Sequence, residues 1–131
     1  MKKTGILNQD ISEVIASLGH FDTIVVCDAG LPIPLGVRRI DLALRSGLPG
    51  FLETLKTIAV ELEVEGWTMA QEVREESPQM LDGVRDVFPD AQGEFVPHSE
   101  FKELCRNAKA IIRTGEFTHY ANVILVAGVV F

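Results

Sequence analysis

Two runs in this chain are apolar at nearly every position, Thr23-Ile24-Val25-Val26-Cys27 and Val123 through Val130. A strand with one wet face alternates apolar and polar residues. A continuous, β-branched run instead marks a strand buried on both sides. Segments of helical spacing alternate with such runs, and that alternation points to an α/β layer architecture. Ile11, Val14, Ile15 and Leu18 recur at helical intervals, with Asp10 expected as N-cap and Gly19 as the stop. Phe51, Leu52, Leu55, Ile58, Ala59 and Leu62 form a second stripe. Residues 78–88 are expected to hold a third helix with Pro78 in its first turn, and Ser99 to Ala108 a fourth, carrying Phe101, Leu104 and Cys105 on one face. Further strands are expected at Val37–Leu42, more weakly at Glu63–Gln71, and at Lys109–Arg113 and Val123–Val130. Asp28-Ala29-Gly30-Leu31-Pro32-Ile33-Pro34 cannot be regular structure.

Charge and cysteine content narrow the function classes. Nineteen acidic residues oppose twelve basic ones in 131, a net charge of -7, which argues against a nucleic-acid surface. The two cysteines, Cys27 and Cys105, form no CxxC pair, and Cys27 lies in an apolar run. Buried free thiols and a reducing cytoplasm are expected. After Met1-Lys2-Lys3, polar Asn8, Gln9, Asp10 and Glu13 break any signal-like apolar stretch. The longest apolar run, Val123 to Phe131, is about half of the ~20 residues a membrane helix needs, so no membrane span is expected.

Polar chemistry gathers at the breaks between elements: His20 and Asp22 after the first helix, Asp28 after the first strand, His98 before the fourth helix, and His119 to Asn122 before the last strand. Ligands of open α/β sheets bind where loops leave strand ends. A histidine at a helix C-terminus is favoured in its protonated form and suits a proton donor; the same position also suits a side chain that merely caps carbonyls. Asp28 can hydrogen-bond a polyol hydroxyl or build its own turn. Tyr120 and Asn122 carry donors and acceptors that match sugar hydroxyls, or they can serve the loop alone. No HExxH, GxGxxG, GxxxxGK[ST] or GxSxG occurs. The acidic run Glu61-Leu62-Glu63-Val64-Glu65 and the pair Glu75-Glu76 read as a solvated face. Residue by residue, the chain is a soluble α/β domain with a polar loop site whose reaction stays open.

The same residues carry a resemblance. Met1 to Asn8, Leu18-Gly19-His20, Cys27 to Pro34, Ile40-Asp41-Leu42, Gly47-Leu48-Pro49, His98 to Lys102, Ala110 to Glu116, Tyr120-Ala121-Asn122 and Ala127 to Phe131 resemble the ribose pyranases of the RbsD/FucU sugar-mutarotase family, nearly end to end. The resemblance implies a single domain over residues 1–131, a three-layer α/β/α fold whose central sheet is mainly parallel or mixed. It implies interconversion of the β-pyranose and β-furanose forms of D-ribose without cofactor or metal. His20 is then the proton donor, and Asp28, His98, Tyr120 and Asn122 bind the sugar, with Lys102 and Asp22 assisting. It further implies a cytoplasmic homo-oligomer, a decamer of two stacked pentameric rings with sites near subunit contacts. One departure stands out: His119 occupies a position usually held by proline. Mutarotation of another sugar such as L-fucose, a non-catalytic sugar-binding module and a pure assembly protein are the rival expectations.

Overall fold

A computed structural model describes residues 1–131. Its elements run α1 (Gln9–Ser17), β1 (Thr23–Cys27), β2 (Arg38–Asp41), α2 (Phe51–Ala59), β3 (Val64–Ala70), α3 (Val73–Glu76), α4 (Pro78–Val87), β4 (Gln92–Val96), α5 (His98–Leu104), a 3-10 turn at Cys105–Asn107, β5 (Ala110–Arg113) and β6 (Val123–Ala127). The strands form one sheet in the order β2-β5-β1-β6-β3-β4. Neighbours β2/β5, β5/β1 and β3/β4 are parallel, whereas β6 runs antiparallel to both β1 and β3. Five strands therefore point one way and β6 alone is reversed, so the sheet is mixed with a parallel majority.

The side-chain period of a strand divides the core. Ile24, Val26, Ala110, Ile112, Val123 and Leu125 face one side, where they meet Ile11 and Val14 of α1, Phe51, Leu55 and Ile58 of α2, and Leu81 and Val84 of α4. Val25, Cys27, Ile111 and Ile124 face the other side and meet Phe101, Cys105 and Leu31. That second layer is thinner, built from α5, the 3-10 turn and the irregular chain after β1. Both faces of β1 are thus dry, as its unbroken apolar run requires. No helix is long and apolar enough to cross a membrane.

Several local expectations are corrected. Asn8, not Asp10, caps α1: its Oδ1 accepts the Ile11 N–H at 2.9 Å, while Asp10 sits in the first turn and pairs with Arg38. The helix ends at Ser17, and the left-handed residue of the following turn is Phe21 (φ 70°), not Gly19. Residues 128–131 leave the sheet, because the expected strand from Val123 stops at Ala127. Two elements went unforeseen. The short α3 precedes α4, and β4 lies at the sheet edge. Gly93 on β4 lies directly beneath the Trp67 indole, with no room for a Cβ.

Candidate active site

With five strands co-directional, every β1, β2, β3, β4 and β5 C-terminus emerges at one edge, and β6 begins there. Asp28 follows β1, His98 opens α5 just after β4, and Tyr120 and Asn122 immediately precede β6. Topology alone brings these four together. They line a cavity of about 620 Å³, within the roughly 300–1,000 Å³ of small-molecule sites.

Asp28 and Asn122 form a reciprocal pair across 94 residues. The Asp28 N–H donates to Asn122 Oδ1 at 2.8 Å, and Asn122 Nδ2 donates to Asp28 Oδ2 at 2.8 Å. Asn122 is fully buried and Asp28 half-buried, so the amide holds the carboxylate at the cavity wall. The Gly30 N–H donates to Asp28 Oδ1 at 2.9 Å, closing the turn that was one of the two expected roles of this aspartate. The geometry gives Asp28 the turn-making role and still leaves carboxylate lone pairs open to the cavity.

His98 is held by its backbone. Both carboxylate oxygens of Glu72 accept its N–H, at 3.1 and 3.2 Å, which fixes the start of α5 where the ring enters the cavity. The ring stands edge-on to Tyr120, with centroids 5.1 Å apart and planes at 88°. Its Nδ1 is buried with no partner in the chain. A buried, unmatched ring nitrogen is costly, about 1–3 kcal/mol, and a ligand hydroxyl would satisfy it. Tyr120 itself adopts a left-handed backbone (φ 59°), a conformation that side-chain-bearing residues keep only when the surroundings enforce it.

Two further cavity residues did not stand out in the sequence. Arg113 ends β5; its Nε donates to the Ala29 carbonyl at 3.1 Å, and Nη1 donates to both oxygens of Asp41 at 3.1 Å, tying the ends of β1, β2 and β5 together. Glu116 accepts the Phe51 N–H at the start of α2 (3.1 Å) and both the hydroxyl (2.9 Å) and N–H (3.3 Å) of Thr118. Burial pushes its carboxyl up, but the N–H groups and hydroxyl outweigh burial and hold it below the ordinary carboxylate range. Both residues lie within the block that carries the resemblance, so their type was visible while their partners were not. His119 is exposed at the cavity mouth. Lys102 is exposed and does not line the cavity.

His20 lies elsewhere. It precedes β1, whereas Asp28 follows it, and a five-residue strand spans roughly 16 Å. The loop at this opposite edge is firmly built. Asp22 Oδ2 accepts the Gly19 N–H at 2.9 Å, and the His20 ring stacks on Phe21 with centroids 3.7 Å apart. Its Nε2 lies 2.8 Å from Glu65 Oε2. Neither His20 nor Asp22 reaches the cavity within one chain. No cluster of three or more His, Cys, Asp or Glu side chains is arranged to hold a metal ion.

Known proteins resemble this chain along its whole length. The model of the RbsD / FucU transport protein family matches residues 1–130. A protein of Chloroflexus aggregans named D-ribose pyranase is 56% identical over 131 residues, covering 100% of both chains. The solved structure of Bacillus subtilis RbsD complexed with D-ribose superposes with a TM-score of 0.97 at 48% identity, again over 100% of both chains. The fucose mutarotase of Streptococcus pneumoniae in complex with L-fucose shares the fold at 24% identity, with a TM-score of 0.78 over 95% of each chain.

Proposed function

The chain belongs to the RbsD / FucU transport protein family, and we infer from that membership that it is a D-ribose pyranase, an isomerase interconverting the β-pyranose and β-furanose forms of the free sugar. The full-length likeness to a D-ribose pyranase at 56% identity carries the inference. The fucose mutarotase shares less than half that identity and speaks for the fold alone.

The chemistry asks little of the protein. Protonation of the ring oxygen and removal of the anomeric hydroxyl proton break the bond between the anomeric carbon and the ring oxygen, leaving an open-chain aldehyde. The C4 hydroxyl then adds to the carbonyl carbon; its proton leaves and the carbonyl oxygen gains one, closing the furanose. Protons are exchanged and no electrons are lost, so cofactor-independent catalysis is expected. A positioned acid or base contributes about 10²–10⁴-fold. Asp28, Asn122, His98 and Tyr120 bind the sugar: the reciprocal Asp28–Asn122 pair presents a fixed acceptor, and the orphaned Nδ1 of His98 awaits a hydroxyl. His20 is the proton donor.

One chain cannot supply that donor to its own cavity, since no pentose spans the length of β1. A neighbouring copy therefore contributes His20, and the working unit is a homo-oligomer; the family resemblance makes it a decamer of two pentameric rings. Exposed apolar side chains at both edges support contacts of this kind: Phe117 at the cavity (68% exposed), Phe21 beside His20 (66%), and the fully exposed Phe131. The free, buried Cys27 and Cys105 suit a cytoplasmic setting.

Saturation-transfer NMR between β-ribopyranose and β-ribofuranose tests the reaction. Added protein accelerates the exchange of D-ribose at neutral pH and accelerates that of L-fucose less. Unchanged ribose exchange in the presence of folded protein would refute the assignment.

A further inference from the structure

At the edge far from the cavity, the structure invests several devices in one exposed histidine. Phe21 takes a left-handed backbone that costs energy in a residue with a large side chain. The Asp22 carboxylate ties back the Gly19 N–H, and Lys109 Nζ lies 3.7 Å from its other oxygen. The His20 ring stacks on Phe21. Most telling is the partner on β3. The register between β3 and β6 slips between Val64 and Gly66: Val64 pairs with Ala127, while Gly66 pairs with Val126. Glu65 is the extra residue of a β-bulge. Bulges re-aim side chains and recur beside active sites. Here the bulge directs Glu65 so that its Oε2 sits 2.8 Å from His20 Nε2, 45 residues away in sequence.

We propose that Glu65 is the positioning residue of His20, fixing the proton of Nε2 and leaving Nδ1 as the nitrogen that exchanges a proton with the sugar. The inference rests on the assignment of His20 as donor. With Nε2–H committed to the carboxylate, the protonated ring gives up its Nδ1 proton to the ring oxygen and becomes the Nε2–H neutral tautomer. Its Nδ1 lone pair then takes a proton back when the ring recloses, so the proton count is restored each cycle. Glu65 of β3 is the carboxylate on the ring, while Asp22 of the same loop is engaged by the Gly19 N–H and by Lys109. The carboxylate orients the imidazole and fixes which nitrogen keeps its proton, as a carboxylate partner does for a ligating histidine.

Three variants and one measurement on the unmodified protein test the proposal. Glu65→Ala should lower the exchange rate constant at saturating D-ribose roughly ten- to hundredfold, by analogy with the loss when the carboxylate partner of a metal-bound histidine is removed, while the ribose Kd stays unchanged. Glu65→Gln, which keeps an acceptor near Nε2 but no charge, should recover part of the rate; it also serves if the alanine variant fails to assemble. In uniformly ¹⁵N-histidine-labelled wild-type protein, the neutral form of His20 should carry its proton on Nε2. Wild-type exchange by Glu65→Ala, or a His20 found with its neutral proton on Nδ1, would overturn the proposal. His20→Ala separates the two layers of argument. If that variant keeps wild-type exchange, the donor assignment itself fails; if it loses exchange while Glu65→Ala does not, only the role of Glu65 fails.

Discussion

The Asp28–Asn122 pair can be probed by a nearly isosteric change, Asn122→Asp. In the wild type the amide both accepts from the Asp28 N–H and donates to the Asp28 carboxylate, at 2.8 Å each. An aspartate keeps the acceptor and the shape but replaces the donor with a second carboxylate oxygen. At neutral pH two negative charges then adjoin. At about 4 Å and an effective dielectric near 20 their repulsion is about 4 kcal/mol. Asp28 is half-exposed, so water reduces this to roughly 2–3 kcal/mol. That energy raises the apparent carboxyl pKa of the folded pair by about two units. The sign follows: a folded state whose carboxyl pKa lies above the unfolded value holds more protons than the unfolded state, so stability falls as pH rises. The variant should match the wild type to within about 1 kcal/mol near pH 4 and fall progressively behind it, reaching roughly 2–3 kcal/mol at pH 7. Urea unfolding of both proteins at fixed protein concentration, at pH 4, 5.5 and 7, measures the difference at each pH. A deficit independent of pH would refute the reasoning, because it would mean that the two carboxylates do not meet.

Two further predictions concern neighbouring groups. Glu116→Gln removes a carboxyl held below its ordinary range by the Phe51 and Thr118 donors; such a group stabilises above the unfolded carboxyl value and loses its effect as pH falls through the folded one, so the variant should lower Tm at pH 7, with a deficit that shrinks as pH falls below the ordinary carboxylate range, as thermal melts over that range will record. The Cys27 thiol is pushed up to about 12, chiefly by burial and then by Asp28, and Cys105 to about 11 by burial. Neither should react with iodoacetamide in the native protein at pH 8, and both should label in denaturant; mass spectrometry after a timed exposure reads the result.

Most of the fold was legible because its strands are unusually plain. β1 and β6 need dry surroundings on both faces, and no other layer arrangement of the remaining amphipathic helices provides that. β4 escaped for the opposite reason. As an edge strand it alternates exposed Gln92 and Glu94 with half-buried Gly93 and Phe95, so its apolar signal is two residues long. The cap of α1 was misplaced by two residues because Asn8 and Asp10 are equally good capping types, and only the backbone shows which one meets the Ile11 N–H.

For the site, chain order misled in one respect. The loops around His20 and Asp28 are separated by a single short strand, and polar loops so close in sequence read as one cluster. A strand, however, carries its two ends to opposite edges of the sheet, so polar neighbours in sequence are held apart by the strand's whole length, roughly 16 Å for β1. Asp28, His98, Tyr120 and Asn122 converge because three separate connections, after β1, after β4 and between β5 and β6, open on the same edge, a consequence of the parallel strands and of the one reversed strand that starts there. Glu65 escaped because a run of alternating glutamates has the appearance of a solvated face, and its direction is decided by a one-residue slip in register against β6. Register is a property of two strands together. The residue types needed at each edge are therefore written locally, while the distance between the edges and the aim of Glu65 arise only when β3 and β6 pair.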